Sequence, residues 1–403
     1  MTMIRRFSLY GFLKNFDFSE PFIILFYLSL GLSYVQIGVL TAFLHIVINI
    51  TEIPSGAFAD LYGKKTAMLV SLSSYIAAFA FFSLARSFAL LIPAVFFYAV
   101  GDSFRTGTHK AIIFDWLKIQ DRLDEKTRVY GYTRSWSNYG SAFSVIIAAF
   151  IVAFTDNYRF VFVFSLIPAV VGLWNMFRYP DELNCCSQNR PGLGEVFRHS
   201  VQTVKSAFTD KDIRHLIIQN TGFEGCFNVS KDFLQPLLKA QAALAAAAFS
   251  VSDKNALALI VASVYFVLYI LSALSSRKSH SVASLFKSEK SALIFLLFIS
   301  AALLNLSCFA VYFKLFYLAI GVFMLLFIVK NIWVPINIAQ YDNYSTSSDQ
   351  ATILSIASQA KAVGISVLAP LAGLCADRFG IYAALLFLSI VLGATAVYSL
   401  YRR

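Results

Sequence analysis

The chain has 403 residues, of which 58% are hydrophobic, 16% aromatic and only 14% charged. A soluble domain carries roughly a quarter of its residues charged, so a water-soluble globule is excluded. The net charge of +11 points to nucleic acid only in a soluble chain; here it fits basic cytoplasmic loops that set topology, and no nucleic-acid partner is expected.

Apolar runs of about 20 residues recur along the sequence, each long enough to cross a bilayer as a helix. They are solid blocks rather than alternating ten-residue segments, which rules out barrel strands and leaves helices. The opening Met1-Thr-Met-Ile-Arg5-Arg6 imitates the basic front of a signal peptide. Lys14, Asn15, Asp17 and Glu20 follow it without a small-residue cleavage site, so it reads as an uncleaved first span.

Hydropathy and turn signals give twelve spans, at roughly 8–31, 35–58, 67–86, 88–112, 130–154 and 159–178 in a first half. The second half has them at roughly 213–238, 254–275, 290–312, 315–338, 351–374 and 380–401. With the N-terminus inside, the cytoplasmic side collects twenty-one Lys and Arg residues against six outside. That bias places both termini in the cytoplasm. The chain therefore divides into an N-terminal six-helix bundle (1–178), a cytoplasmic linker (179–212) and a C-terminal six-helix bundle (213–403). Within the linker, Leu193, Val196, Phe197, Val201, Val204 and Phe208 recur at helical spacing, the pattern of a helix lying in the interface. The alanine-rich 239–254 reads as an outer loop without a role of its own. Cys185-Cys186 and the other cysteines show no CxxC or Cys/His spacing, so no metal or disulfide framework is expected. Thr155-Asp156-Asn157-Tyr158-Arg159 and Ala376-Asp377-Arg378 echo each other at two short outer turns, a faint mark of parallel halves.

Twelve charges fall inside the spans: Lys14, Arg105, Arg134, Lys231, Lys330 and Lys361, with Asp17, Glu20, Glu52, Asp102, Glu224 and Asp232. Each costs about 2.5–3.5 kcal/mol at a helix centre on insertion scales. They must face one another or a wet cavity. Glu20, Asp102, Glu224 and Lys361 fall near the bilayer middle by interpolation. Lys14 with Asp17, and Asp102 with Arg105, share helical faces; Glu224, Asn228, Lys231 and Gln235 form a polar stripe. Structural ion pairs are one reading of each residue. A solvated pathway suits the set, and a carboxylate alternating between wet and dry surroundings changes protonation. Asp102 and Glu224 are the candidates for proton coupling. His45, with Asn49 one turn on, reads as a hydrogen-bonded structural residue rather than a proton relay. Trp136, Trp174 and Trp333 sit near inner boundaries, where interfacial anchoring is expected.

Between the second and third spans stands Gly56-x-x-x-Asp60-x-x-Gly63-Lys64-Lys65. This hairpin resembles the signature loop of the major facilitator superfamily. In this reading Gly56 permits close helix approach, Gly63 a tight reversal, and Lys64 and Lys65 meet the anionic leaflet. The resemblance implies twelve helices in two pseudo-symmetric bundles around a central cavity. It also implies that Asp60 latches, according to state, against the helix beginning near Ala351 and Thr352. Phe104-Arg105-Thr106-Gly107-Thr108-His109-Lys110-Ala111 and Tyr130-Gly131-Tyr132-Thr133-Arg134-Ser135-Trp136 look like those of a bacterial subgroup whose cargo is undefined. The chain departs from the family pattern in having lysines for arginines and no acid-and-glycine copy at Ser276-Arg277-Lys278. It also has Gly140-Ser141-Ala142 where drug/proton antiporters carry a Gly-Pro pair.

Gly63-Lys64-Lys65-Thr66 is not a phosphate-binding loop, and no HExxH or GxSxG supports an enzyme; no cofactor or metal is expected. The expectation is a monomeric secondary transporter in the bacterial cytoplasmic membrane, moving a small organic solute with protons, export preferred. The cavity set is Lys14, Asp17, Glu20, Asp102, Arg105, Glu224, Asn228, Lys231, Lys330 and Lys361; the gating set is Gly56, Asp60, Gly63, Lys64 and Lys65. Two alternatives stay open: an uptake symporter for an anion held by Lys14, Arg105, Lys231 or Lys361, and a non-transporting sensor on the same bundle.

Overall fold

The computed structural model describes residues 2–184, 211–249, 252–343 and 350–401. The interfacial helix expected between Leu193 and Phe208, and Cys185-Cys186, lie outside these residues. Among the described residues, ten helical stretches are long and apolar enough to cross a membrane. They follow the expected spans closely, from Tyr34–Tyr62 to Ile381–Tyr401.

The two remaining expected spans are each broken. The first divides into α1 (Met3–Asn15) and α2 (Ile23–Ser29). Asp17 Oδ1 accepts from the Ser19 backbone N–H at 2.9 Å and from Ser19 Oγ at 2.7 Å. A carboxylate satisfying the amide two residues on offers the backbone an alternative to the helix, and Pro21 removes a further donor. Beyond it run α3 (Tyr34–Tyr62), α4 (Lys64–Leu84), α5 (Phe88–Arg105), α6 (Thr108–Ile119), α7 (Lys126–Thr155) and α8 (Arg159–Phe177). Gly107, with φ at 78°, separates α5 from α6, so the fourth expected span bends there and continues to Ile119.

The seventh expected span divides into α9 (Lys211–Asp232) and α10 (Leu234–Phe249). Pro236 has no N–H to give the Asp232 carbonyl, and it sits in the first turn of the new helix, where proline is tolerated. The alanine-rich stretch expected as a loop is helical to Phe249, as the high helix propensity of alanine favours. Then follow α11 (Asp253–Arg277), α12 (Ser279–Ala283), α13 (Glu289–Tyr312), α14 (Phe316–Asn343), α15 (Gln350–Phe379) and α16 (Ile381–Tyr401).

The chain forms two compact units. One comprises Met1–Leu30 with Ile46–Phe197, the other Gly31–His45 with Arg198–Arg403. In the first, α1 packs on α7 and α8, and α4 on α5 and α8. In the second, α9 packs on α15 and α16, and α13 on α14 and α16. The same order of partners thus recurs in each unit, a stronger sign of duplication than the two turn sequences. Gly140 on α7 faces the Phe12 carbonyl of α1 so closely that a Cβ would collide with it. Asn15 Nδ2 donates to Ser141 Oγ at 3.1 Å one residue along.

Trp333 departs from its expected interfacial place. It is fully buried and stacks on Phe223 with ring centroids 4.1 Å apart. Trp136 and Trp174 are exposed, at 38% and 57%, as interfacial anchors would be.

Candidate functional site

The break between α1 and α2 opens the first unit to a cavity of about 180 Å³ lined by Lys14, Asn15, Asp17, Glu20, Tyr75 and Arg105, among others. A second cavity of about 480 Å³ shares Tyr10, Lys14, Asn15 and Arg105 with it. Discontinuous membrane helices commonly build substrate sites, because unwound backbone is tolerated only where it lines a cavity or is buried in protein. Four of the expected cavity residues therefore meet around one hollow. Asp17 is partly engaged in structure: besides Ser19, it has Ser165 Oγ of α8 at 3.3 Å. That hydroxyl also accepts from Phe18 N–H at 3.1 Å.

Asp102 stands behind the cavity wall in a closed polar triangle. Arg105 donates through Nη2 to Asp102 Oδ1 and through Nε to the Tyr75 hydroxyl at 2.9 Å. Tyr75 in turn donates to Asp102 Oδ1 at 2.9 Å. The three-residue spacing on α5 makes the ion pair local, whereas Tyr75 comes from α4. Sequence reading found the pair and missed the tyrosine, because nothing local marks a tyrosine on an apolar helix as polar-facing. Tyr10 and Tyr98 line the hollow for the same reason.

The residues expected from the second unit are less united. Glu224 is 8% exposed, and Asn228 Nδ2 donates to its Oε2 at 3.3 Å and to its backbone carbonyl at 2.7 Å. Lys330 of α14 lies 5.7 Å from the centre of the Phe227 ring, a cation–π arrangement. Lys231 and Lys361 are half-buried.

The hairpin differs from its expected chemistry. Lys64 and Lys65 do not reach outward to lipid headgroups. Lys64 Nζ is 2.6 Å from Asp115 Oδ2, and Lys65 Nζ is 2.6 Å from Asp181 Oδ1 and 2.7 Å from the Tyr179 carbonyl. Carboxylates and a carbonyl of the same unit lie within hydrogen-bond reach of both ammonium groups, which pair there. Asn184 completes the lock: its Oδ1 accepts from the Thr66 N–H at 3.1 Å. Gly63 has φ at 94° and faces that same side chain, so the expected tight reversal is present. Gly56 does not mediate a close approach among the described residues, where a Cβ on it would meet nothing within 4 Å. Asp60 is exposed at the helix end; the side chains of Ala351 and Thr352, its expected counterparts, lie outside the described set. Below the hairpin, burial holds the Tyr179 phenol well above its ordinary pKa. It stays protonated, within 3.3 Å of the Arg6 carbonyl and 3.2 Å of His109 Nε2.

Apolar helices long enough to span, interrupted where charged side chains line a hollow, define a multi-pass membrane transport protein. Residues 8–276 match the Major Facilitator Superfamily, and the chain belongs to that family: it is a transporter and not an enzyme. A stretch of 89 residues is 38% identical to the uncharacterized MFS-type transporter YxaM of Bacillus subtilis (strain 168), spanning 22% of this chain and 22% of that protein. Among solved structures, the nucleoside transporter NupG is similar over 100% of this chain and 99% of its own, with TM-score 0.78 and 12% identity. A D-xylose-proton symporter is similar over 98% and 96%, with TM-score 0.70 and 12% identity. A POT family transporter in complex with thioalcohol conjugated peptide covers 99% and 95%, at TM-score 0.75 and 12% identity.

Proposed function

We propose that the protein is a proton-coupled secondary active transporter of a small polar organic solute, acting as a symporter through twelve spans in two six-helix bundles. The observation that carries this reading is the charged hollow beside the broken first span, with an acid–base pair set in its wall. A solute that drew Arg105 away would leave the half-buried Asp102 without its counter-charge. A carboxylate so placed takes up a proton, which links solute binding to proton movement. Glu224, buried on the opposite half of the sequence, is the second carboxylate of the cycle. Symport is favoured over the export reading by the absence of the antiporter Gly-Pro pair. The proton symporter among the structural neighbours points the same way. The protein works as a monomer in the cytoplasmic membrane with both termini inside.

Reconstitution decides it. Purified protein in liposomes under an imposed pH gradient is expected to accumulate solute together with protons, read by an internal pH dye. Accumulation only when the gradient opposes uptake would show export. Ligand binding with no flux under any gradient would reduce the protein to a sensor.

A further inference from the structure

Four cationic side chains from four helices converge on the larger hollow of the first unit. Lys14 comes from α1, Arg105 from the end of α5, Lys110 from the first turn of α6 and Arg134 from α7. Among the described residues, no carboxylate lines this hollow of about 480 Å³. Asp102 offsets one charge by holding one arm of Arg105, and Asp17 and Glu20 belong to the neighbouring smaller cavity. Lys14 lies in the repulsive field of Arg105 and Arg134 and in the attractive field of Asp102, and neither Lys14 nor Arg134 makes a salt bridge among the described residues. Lys110 is placed by two rings, Phe114 and Tyr130, each 5.5 Å from its ammonium.

Like charges gathered around one hollow repel one another, and Lys14, Lys110 and Arg134 stand exposed to it. A structural role would pair them with acids, as Lys64 and Lys65 are paired with Asp115 and Asp181. An unmatched set instead suits a ligand that brings the opposite charge. Planar guanidinium groups and flexible ammonium groups together match the oxygens of a carboxylate or phosphate. The start of α6, which follows Gly107 on the cavity wall, adds the positive end of a helix dipole. We propose that this hollow binds the anionic group of the transported solute, a carboxylate or phosphate on a small organic molecule. The proposal rests on the transporter reading and narrows its substrate class.

The test is a fluorescence titration of the purified full chain in neutral detergent, using citrate and inorganic phosphate as probes and glucose as the uncharged control. Ionic strength is held constant with sodium chloride. Saturable binding of citrate or phosphate, and none of glucose, is expected. Lys14→Gln and Arg134→Gln should each weaken it about tenfold, the scale of one charge-assisted hydrogen bond. Lys14→Arg and Arg134→Lys, which keep the charge, should retain it, as should Lys118→Gln on the exposed end of α6. Absence of saturable binding to both anions, or binding that survives both neutral substitutions, overturns the proposal. Phosphatidylglycerol that displaces citrate assigns the site to a lipid headgroup and also overturns it. The transporter reading is tested separately: pH-driven flux of uncharged solutes without anion binding removes only the anion, whereas anion binding without any flux removes only transport.

Discussion

The Asp377 carboxylate closes the start of the helix at Tyr34: Oδ1 accepts from the Tyr34 N–H at 2.7 Å and Oδ2 from the Val35 N–H at 2.8 Å. Both residues belong to the second unit, though 343 positions apart in sequence. The first amides of a helix have no partner of their own, and a carboxylate there also meets the positive end of the dipole. Asp377→Ala is expected to lower stability by about 1 kcal/mol, the usual worth of a helix cap. Chemical denaturation in detergent measures it, and an unchanged midpoint would show that water replaces the carboxylate at no cost.

The Asp102–Arg105–Tyr75 triangle separates coupling from scaffolding. Asp102→Asn should abolish pH-driven flux while Tyr75→Phe, which removes two hydrogen bonds of about 1 kcal/mol each and leaves the ion pair, should leave most of it. Proteoliposome transport under a pH gradient reads both. Full flux in Asp102→Asn would move the proton site elsewhere, with Glu224→Gln as the next variant to assay.

Lys65 is nearly buried, whereas its partner Asp181 has a side chain 95% exposed. The exposed pair is screened and worth at most about 1 kcal/mol; the bond to the Tyr179 carbonyl is shielded and charge-assisted. Asp181→Ala is therefore expected to change little, and Lys65→Met to destabilise by about 2 kcal/mol. Thermal unfolding of the two variants side by side tests the order, and equal losses would contradict it.

Gly63→Ala forces a side chain into a left-handed backbone against Asn184; a loss of about 1–3 kcal/mol is expected. Asp60→Ala, by contrast, removes an exposed carboxylate and should leave the melting temperature unmoved while slowing turnover. Measuring stability and transport on both variants distinguishes a structural hairpin residue from a gating one. Slower transport in Asp60→Ala accompanied by lower stability would count against gating.

Span positions, membrane class and the hairpin of Gly56 to Lys65 were legible in the sequence because they are local. An apolar run of about 20 residues has one favourable fate in lipid whatever surrounds it. The Asp102–Arg105 pair was legible for the same reason, since three residues on a helix share a face. Tertiary structure alone decided which charges are spoken for. Lys64 meets Asp115 and Lys65 meets Asp181 across 51 and 116 residues, so no window of sequence shows that these lysines are satisfied within the unit. It likewise decided that Asp17 and Pro21 break the first span and that Trp333 lies against Phe223 rather than at the interface. It also left Lys14, Arg105, Lys110 and Arg134 facing one hollow. Hydrophobicity acts on each segment separately, whereas the neutralisation of a charge depends on which helix packs beside it.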